Sequence, residues 1–448
     1  MAIFEQTIKK AVDTINNWPY QNMLQSVTII RDISGKLSFL LSMPGGMEDT
    51  KKQSLDNLLR TALKKYYQGN IYCKENRNND LVEAMISEIE LLRREREADG
   101  SIHWYLLERA IAKKAWVECS NSETAVWSYE DAVDGNKPKV VTFYSFKGGM
   151  GRTTALAATA LSLAKEGKNV LAIDTDIEAP GLASLFFDEN SITGGVVDYI
   201  LEASVTPEDQ RIDMSTILKQ VMDPLLLEEV SGQIFVIPSG VVDEHYLQKL
   251  ARIDYQDAIP NNMKKQLSRL IEDAVTAITV MCPVDYVLLD SRAGFHDMGG
   301  VITTQMPHGV VLFGKDSKQS WQGMELVLDA ISTSQSDKPL VAIVDGAWGR
   351  EGIISLEERE KFSRQAYTAF CENYYSEEYQ PGPEALSEPH SPIFVSYKSL
   401  IAGDIVLYSD GAERNNEMLR QVKQVLLGEE YQAITKRIQQ WFGKDEGV

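Results

Sequence analysis

Positions 147 to 154 read Lys147, Gly148, Gly149, Met150, Gly151, Arg152, Thr153, Thr154: three glycines and two cations ahead of paired hydroxyls. An apolar β-type run at 140–144 leads into this stretch, and an alanine-rich helical segment at 155–164 leaves it. Strand, glycine loop and helix start, in that order, make a cradle for phosphate. Backbone N–H groups face inward, and the helix end adds roughly half a positive charge. Gly148, Gly149 and Gly151 are expected to take positive-φ conformations and let the backbone close on a ligand. Thr153, directly after the basic Arg152, stands where a hydroxyl ligand for Mg²⁺ is expected. The chemistry implied is nucleotide binding.

The loop departs from the pattern GxxxxGK[ST] twice. Phe146 replaces the first glycine, and Arg152 replaces the phosphate-gripping lysine, while Lys147 adds a cation at the loop's start. Two further stretches end apolar runs in carboxylates. In 169–181 the run stops at Asp174 and Asp176, with Glu178 and the Pro180-Gly181 break following; a buried parallel strand delivers acids at its C-terminal edge in this way, although such a pair also serves as a helix cap. In 284–294 the run stops at Asp290, which matches a carboxylate holding Mg²⁺ through water, and Arg292 and Gly294 follow. Arg292 has three options: a phosphate, a pairing with Asp176 or Glu178, or solvent.

The three stretches together resemble the ParA/MinD family of dimerising ATPases, whose deviant Walker A loop is KGGxGK[ST], and more closely a branch with arginine as the second cation. The resemblance covers roughly 139–345. It implies an α/β fold, a mostly parallel P-loop NTPase sheet with helices on both faces. It further implies Asp174 near the Mg²⁺ shell, Asp176 orienting the attacking water, Gly294 in a second switch loop with its N–H near the γ-phosphate, and Lys147 reaching a partner subunit's nucleotide, so that ATP closes a homodimer. Asp345 falls near the position at which the family reads the purine. A carboxylate there accepts from adenine N6 or from guanine N1 and N2, or is simply solvated; ATP is preferred on family grounds. In this reading catalysis rests on Asp176, Lys147 and Arg152, the nucleotide on 147–154 with Gly294 and Asp345, and Mg²⁺ on Thr153, Asp174 and Asp290.

At 448 residues the chain exceeds one ordinary core, and 44% hydrophobic content places it among globular proteins. A net charge of −20 argues against broad binding to nucleic acid or anionic membrane. Cys73, Cys119, Cys282 and Cys371 are scattered without zinc spacing, and with no signal-like N-terminus or long apolar run a cytoplasmic protein is expected.

Residues 1–136 carry no nucleotide motif and read as a small α+β domain. A helix is expected over 4–18, two strands within 27–41 joined at Ser34-Gly35, a helix carrying Leu55, Leu58, Leu59, Ala62, Leu63 and Tyr66, another carrying Leu81, Met85, Ile89 and Leu92, and a third with Trp104, Leu107 and Ile111 on one side. The acidic stretch 120–138 is taken as the connection. Residues 137–448 form the NTPase domain, with strands expected at 140–144, 170–174, 234–238, 286–290, 309–313 and 340–344. The last helix, with Tyr431, Ile434, Ile438 and Trp441 on one face, is expected to dock on the protein's own core.

Two functions fit. One is a slow ATPase switch controlling a protein partner through the N-terminal domain or the switch surface, with bacterial regulatory and anti-phage systems suggested by the arginine-bearing relatives. The other is a nucleotide-sensing subunit with little or no hydrolysis. A phosphotransferase is a third, weaker option, because the tyrosine-rich tail of related kinases is missing.

Overall fold

The computed structural model describes the chain except for residues 1–3, 77–79, 97–101, 110–111, 118–125, 208–209, 211, 258–261, 335–337, 347–354, 404, 410–411 and 444–448. Two compact units are formed, Met1–Asn121 and Ser122–Val448.

The first unit is built on five strands, β1 (Ser26–Arg31), β2 (Leu37–Ser42), β3 (Tyr67–Cys73), β4 (Arg94–Glu95) and β5 (His103–Glu108), in the order β3-β2-β1-β5-β4. β1 and β2 form the expected antiparallel pair, with Ser26 opposite Ser42. The turn between them is held by Asp32 Oδ1, which accepts from the backbone N–H groups of Ser34 and Lys36, with Gly35 at a φ of +83°. Helices Thr7–Asn16 and Asp49–Leu63 bury Ala11, Ile15, Leu55, Leu59 and Leu63 against one face of the sheet. Helix Asp80–Leu92 places Ile86 and Ile89 on the other face.

The expected third helix is a strand. Trp104 and Leu107 belong to β5, which runs parallel to β1 with Thr28 opposite Tyr105. Their spacing of three puts them on opposite faces of the sheet: Trp104 joins the core with Ile15 and Phe39, and Leu107 joins Ile30 and Ile89. A strand buried on both faces reads as a continuous apolar run, so its period does not separate it from a helix. Ile111 and the side chains of Leu81 and Leu92 lie outside the described residues.

The second unit holds eight strands: β6 (Lys139–Ser145), β7 (Val170–Asp174), β8 (Lys219–Gln220), β9 (Ile234–Ile237), β10 (Tyr286–Asp290), β11 (Gly309–Gly314), β12 (Leu340–Asp345) and β13 (Ile393–Phe394), in the order β13-β12-β11-β6-β10-β7-β9-β8. All six expected strands are present, and every pairing is parallel except β8 with β9. After β6 the chain moves to β7 on one side and later returns to β11 on the other. β6 is therefore a topological switch point, where the carboxyl ends of parallel strands leave a crevice.

Side chains of β6 alternate between two helical layers. Val141 and Phe143 join a core with helix Arg152–Lys165, which is buried continuously from Ala155 to Ala164. Thr142 faces the opposite layer, against the carbonyl of Ile302 in helix Asp297–Thr304. Small alanine side chains let the first helix lie between the sheet and two C-terminal helices, Glu413–Leu426 and Glu429–Trp441. The last of these docks on the core as expected, through Tyr431, Ile434 and Ile438. The Trp441 ring occupies the space a side chain at Gly309 would need, 2.4 Å from the ideal Cβ.

Residues 126–136, assigned to the connection from sequence, pack within the second unit. The Tyr129 hydroxyl donates to the Trp441 carbonyl, and the Tyr129 ring lies beside Phe442 at 5.8 Å between centroids. Among the described residues no helix is long and apolar enough to cross a membrane.

Ile434→Ala removes a fully buried side chain behind the phosphate-loop helix. It is expected to lower the unfolding free energy by about 2–5 kcal/mol, read from the urea midpoint. A change below about 0.5 kcal/mol, typical of surface substitutions, would remove this helix from the core.

Candidate nucleotide site

β6 delivers Ser145 to the crevice, and helix Arg152–Lys165 leaves it. The loop between them turns through Gly149 at φ +73° and Gly151 at φ +74°, which caps the helix in the left-handed region. Gly148, expected to share that conformation, does not adopt a positive φ. The Ser145 hydroxyl donates to the Lys147 carbonyl at 2.8 Å and fixes the loop's entry. Met150 is buried, and its carbonyl lies 2.5 Å from where Gly346 would carry a Cβ. Lys147 is half-buried, and its ammonium has no ion-pair partner among the described residues.

Phe146 has a part that sequence reading treated only as a departure. Its ring packs on Phe295 at 5.3 Å and fills the space above Gly323, where an added Cβ would fall 2.1 Å from Cδ1. The aromatic residue in place of the usual first glycine is thus accommodated by a glycine on another helix, Lys318–Ser334.

Arg152 is expected at a phosphate, yet here it holds carboxylates. Its Nε donates to Asp290 Oδ1 at 2.9 Å, its Nη2 to Asp176 Oδ2 at 3.0 Å, and its Nη1 to Ser145 Oγ at 3.4 Å. The Thr153 hydroxyl donates to the other Asp290 oxygen at 2.7 Å. Asp290 and Asp174 lie side by side on β10 and β7. Burial pushes both carboxyls above their ordinary range; each other's charge adds to this for Asp174, whereas Arg152 and Thr153 oppose it for Asp290.

Asp174, expected near the metal, turns to its own loop. One oxygen accepts from the N–H of Asp176 at 3.1 Å, the other from Gly181 and Leu182 at 3.1 and 3.0 Å. It shapes the 175–182 segment and leaves Asp176 as the acid facing Arg152. Asp176 Oδ1 also accepts from the Ala179 N–H at 3.2 Å. Among its three options, Arg292 takes Glu178, and His296 lies 3.8 Å from the same carboxylate. Gly294 has φ +83°; its N–H, expected toward a γ-phosphate, donates to the Ser145 carbonyl at 3.3 Å, and its own carbonyl accepts from Tyr144 Oη at 3.0 Å.

A cavity of about 610 Å³ opens beside Thr153 and Thr154, bounded by Gly181, Leu185, Asp188 and Tyr408. Asp345 ends β12, buried, with Oδ1 unpartnered among the described residues. For Mg²⁺ the donors at hand are hard oxygens, the Thr153 hydroxyl and the Asp290 carboxylate, which fit the ion. No three His, Cys, Asp or Glu side chains form a metal cage among the described residues. Such a pair therefore suits a metal that completes its shell with water and ligand phosphates.

A family model described as an AAA domain matches residues 138–293. An uncharacterized ATP-binding protein of Methanocaldococcus jannaschii is 25% identical over 228 residues, 49% of this chain and 69% of that protein. The septum site-determining protein MinD of Buchnera aphidicola is 23% identical over 207 residues, 46% of this chain and 64% of its own length. The matched region is thus similar to P-loop NTPases of the ParA/MinD type. Among solved structures, pNOB8 ParA bound to nonspecific DNA aligns with 68% of this chain and 99% of its own, at 18% identity and a TM-score of 0.44. The glycine loop and the strands that end in Asp174 and Asp290 lie within the matched region.

Burial, with Asp316 and Glu358 nearby, pushes the Asp345 carboxyl from its ordinary 3.8 up to about 7. A group raised on folding contributes stability that is complete below its unfolded value and is lost as pH rises through the folded one. Wild type should therefore lose stability relative to Asp345→Asn between about pH 4 and pH 7, by roughly 1.4 kcal/mol per unit of displacement. Urea titrations at about pH 5 and pH 8 would test this; parallel pH profiles would mean that Asp345 titrates normally.

Proposed function

We propose that the protein is an ATP-driven switch: ATP with Mg²⁺ binds in the cradle, two copies associate around it, and slow hydrolysis separates them. The observation that carries this reading is the convergence of Thr153, Asp290 and Asp176 on one side of a glycine loop with two positive-φ glycines. The loop amides and Arg152 would neutralise phosphate charge, and Thr153 and Asp290 would hold Mg²⁺. Bound there, the ion supplies Lewis-acid neutralisation of phosphate oxygens. Asp176 would orient the water, and Asp345 would face the purine. ATP is chosen over GTP because a matched relative is described as ATP-binding.

Lys147 supports the dimer. Its cation stands at the loop's start with no ion-pair partner among the described residues, while Arg152 holds the position next to Thr153. The net charge of −20 favours a protein partner over nucleic acid, with the first unit or the switch loops as its contact. A setting in bacterial regulation or anti-phage defence rests on the arginine-bearing loop alone. The sensing-subunit reading has one specific support: Asp176, the acid needed to orient water, is held by Arg152 at 3.0 Å.

Asp176→Asn should still bind ATP yet release phosphate roughly 10²-fold more slowly or worse. Equal rates would take Asp176 out of the chemistry, and no release by wild type would favour the sensing subunit. Sedimentation with ATP, ADP and no nucleotide should show assembly only with ATP. Lys147→Ala should weaken that assembly about tenfold, or ~1.4 kcal/mol; a mass independent of nucleotide ends the dimer proposal.

A further inference from the structure

We infer that the Arg152 guanidinium is a stand-in cation at the divalent-metal position, so that a triphosphate must draw it away before a metal ion binds. The inference rests on the nucleotide reading above. Arg152 is the only side-chain cation paired with Asp176 or Asp290 among the described residues, and its side chain is 10% exposed. It bridges the two acids through different nitrogens, at 3.0 and 2.9 Å, while Thr153 holds the remaining Asp290 oxygen.

A planar guanidinium can span two carboxylates in this way; the point charge of a lysine ammonium cannot engage both with the same fork geometry. With Arg152 in place, Asp290 has both oxygens committed and its charge compensated. Mg²⁺ or Mn²⁺ arriving alone would have to displace the arginine and leave a second cation nearby without a partner. A triphosphate removes that obstacle, because its oxygens give the guanidinium another bidentate acceptor. The carboxylate is then released when the phosphates that complete a metal shell are present. Nucleotide and metal are consequently coupled positively, each raising the other's affinity by the same factor. The arginine in place of lysine is therefore not a neutral exchange within the loop: it lets the buried acids remain paired in the absence of ligand.

The test is Mn²⁺ binding to the nucleotide-free full chain, followed by electron paramagnetic resonance. Arg152→Gln and Arg152→Lys are compared with wild type, and the fold of each is checked by circular dichroism. Both variants should bind Mn²⁺ at least tenfold more tightly than wild type, and a non-hydrolysable ATP analogue should close most of that gap by raising wild-type affinity. If Arg152→Gln does not fold, Arg152→Lys decides. Mn²⁺ affinity in the nucleotide-free state that is equal in wild type and in the folded variants overturns the inference. Tighter Mn²⁺ binding by the variants, with no binding of the ATP analogue to any form, would retain the stand-in cation and reject the nucleotide reading instead.

Discussion

Parallel strands that end side by side in carboxylates bring like charges into a region water barely reaches. β7 and β10 do this with Asp174 and Asp290, and Asp176 lies just beyond. A buried ion deprived of its partner destabilises a fold by several kcal/mol, so the surrounding chain is arranged to prevent that. Asp174 is met by three backbone N–H groups, which obliges the 175–182 segment to curl back over it. Asp290 is met by consecutive residues, Arg152 and Thr153, in the first turn of one helix. That helix must therefore begin where it does, and the left-handed Gly151 before it is the hinge that allows the turn. The loop's shape and the placing of the acids are two sides of one electrostatic solution.

Much of the second unit was legible because its strands are buried parallel strands, which read as unbroken apolar runs closed by polar residues. The same property misled the reading of the first unit, where Trp104 and Leu107 serve opposite faces of a sheet but sit at a helical spacing. The two-residue strands β8 and β13 carry too few residues for any period. Of the residues the motifs singled out, Arg152, Thr153, Asp176 and Asp290 meet in one cluster, whereas Asp174 turns to its own loop and Asp345 ends β12. The motifs lead one to expect Arg152 and the Gly294 N–H at phosphate; both are instead satisfied on protein oxygens, the Asp290 carboxylate and the Ser145 carbonyl. Phe146 on Gly323 was out of reach for a different reason. Its partner lies far along the chain, and nothing local to either residue announces the pair.

The two loops expected to sense a triphosphate are joined to each other. Glu178 of the first pairs with Arg292 of the second, and Gly294 is tied to β6 through Tyr144 and Ser145. A change at one loop has direct contacts through which to reach the other and the floor of the cradle.

The contact of Tyr129 with Trp441 has a mechanical consequence. Residues entering the second unit are pinned to the end of its last helix, and that helix rests on the back of the one that opens at the phosphate loop. Tension applied to the chain ahead of position 129 would thus be borne by a strut seated on the nucleotide helix, not absorbed by a slack tether. The place where the chain enters this unit is thereby anchored to its last helix, whose Trp441 ring sits against Gly309 of β11.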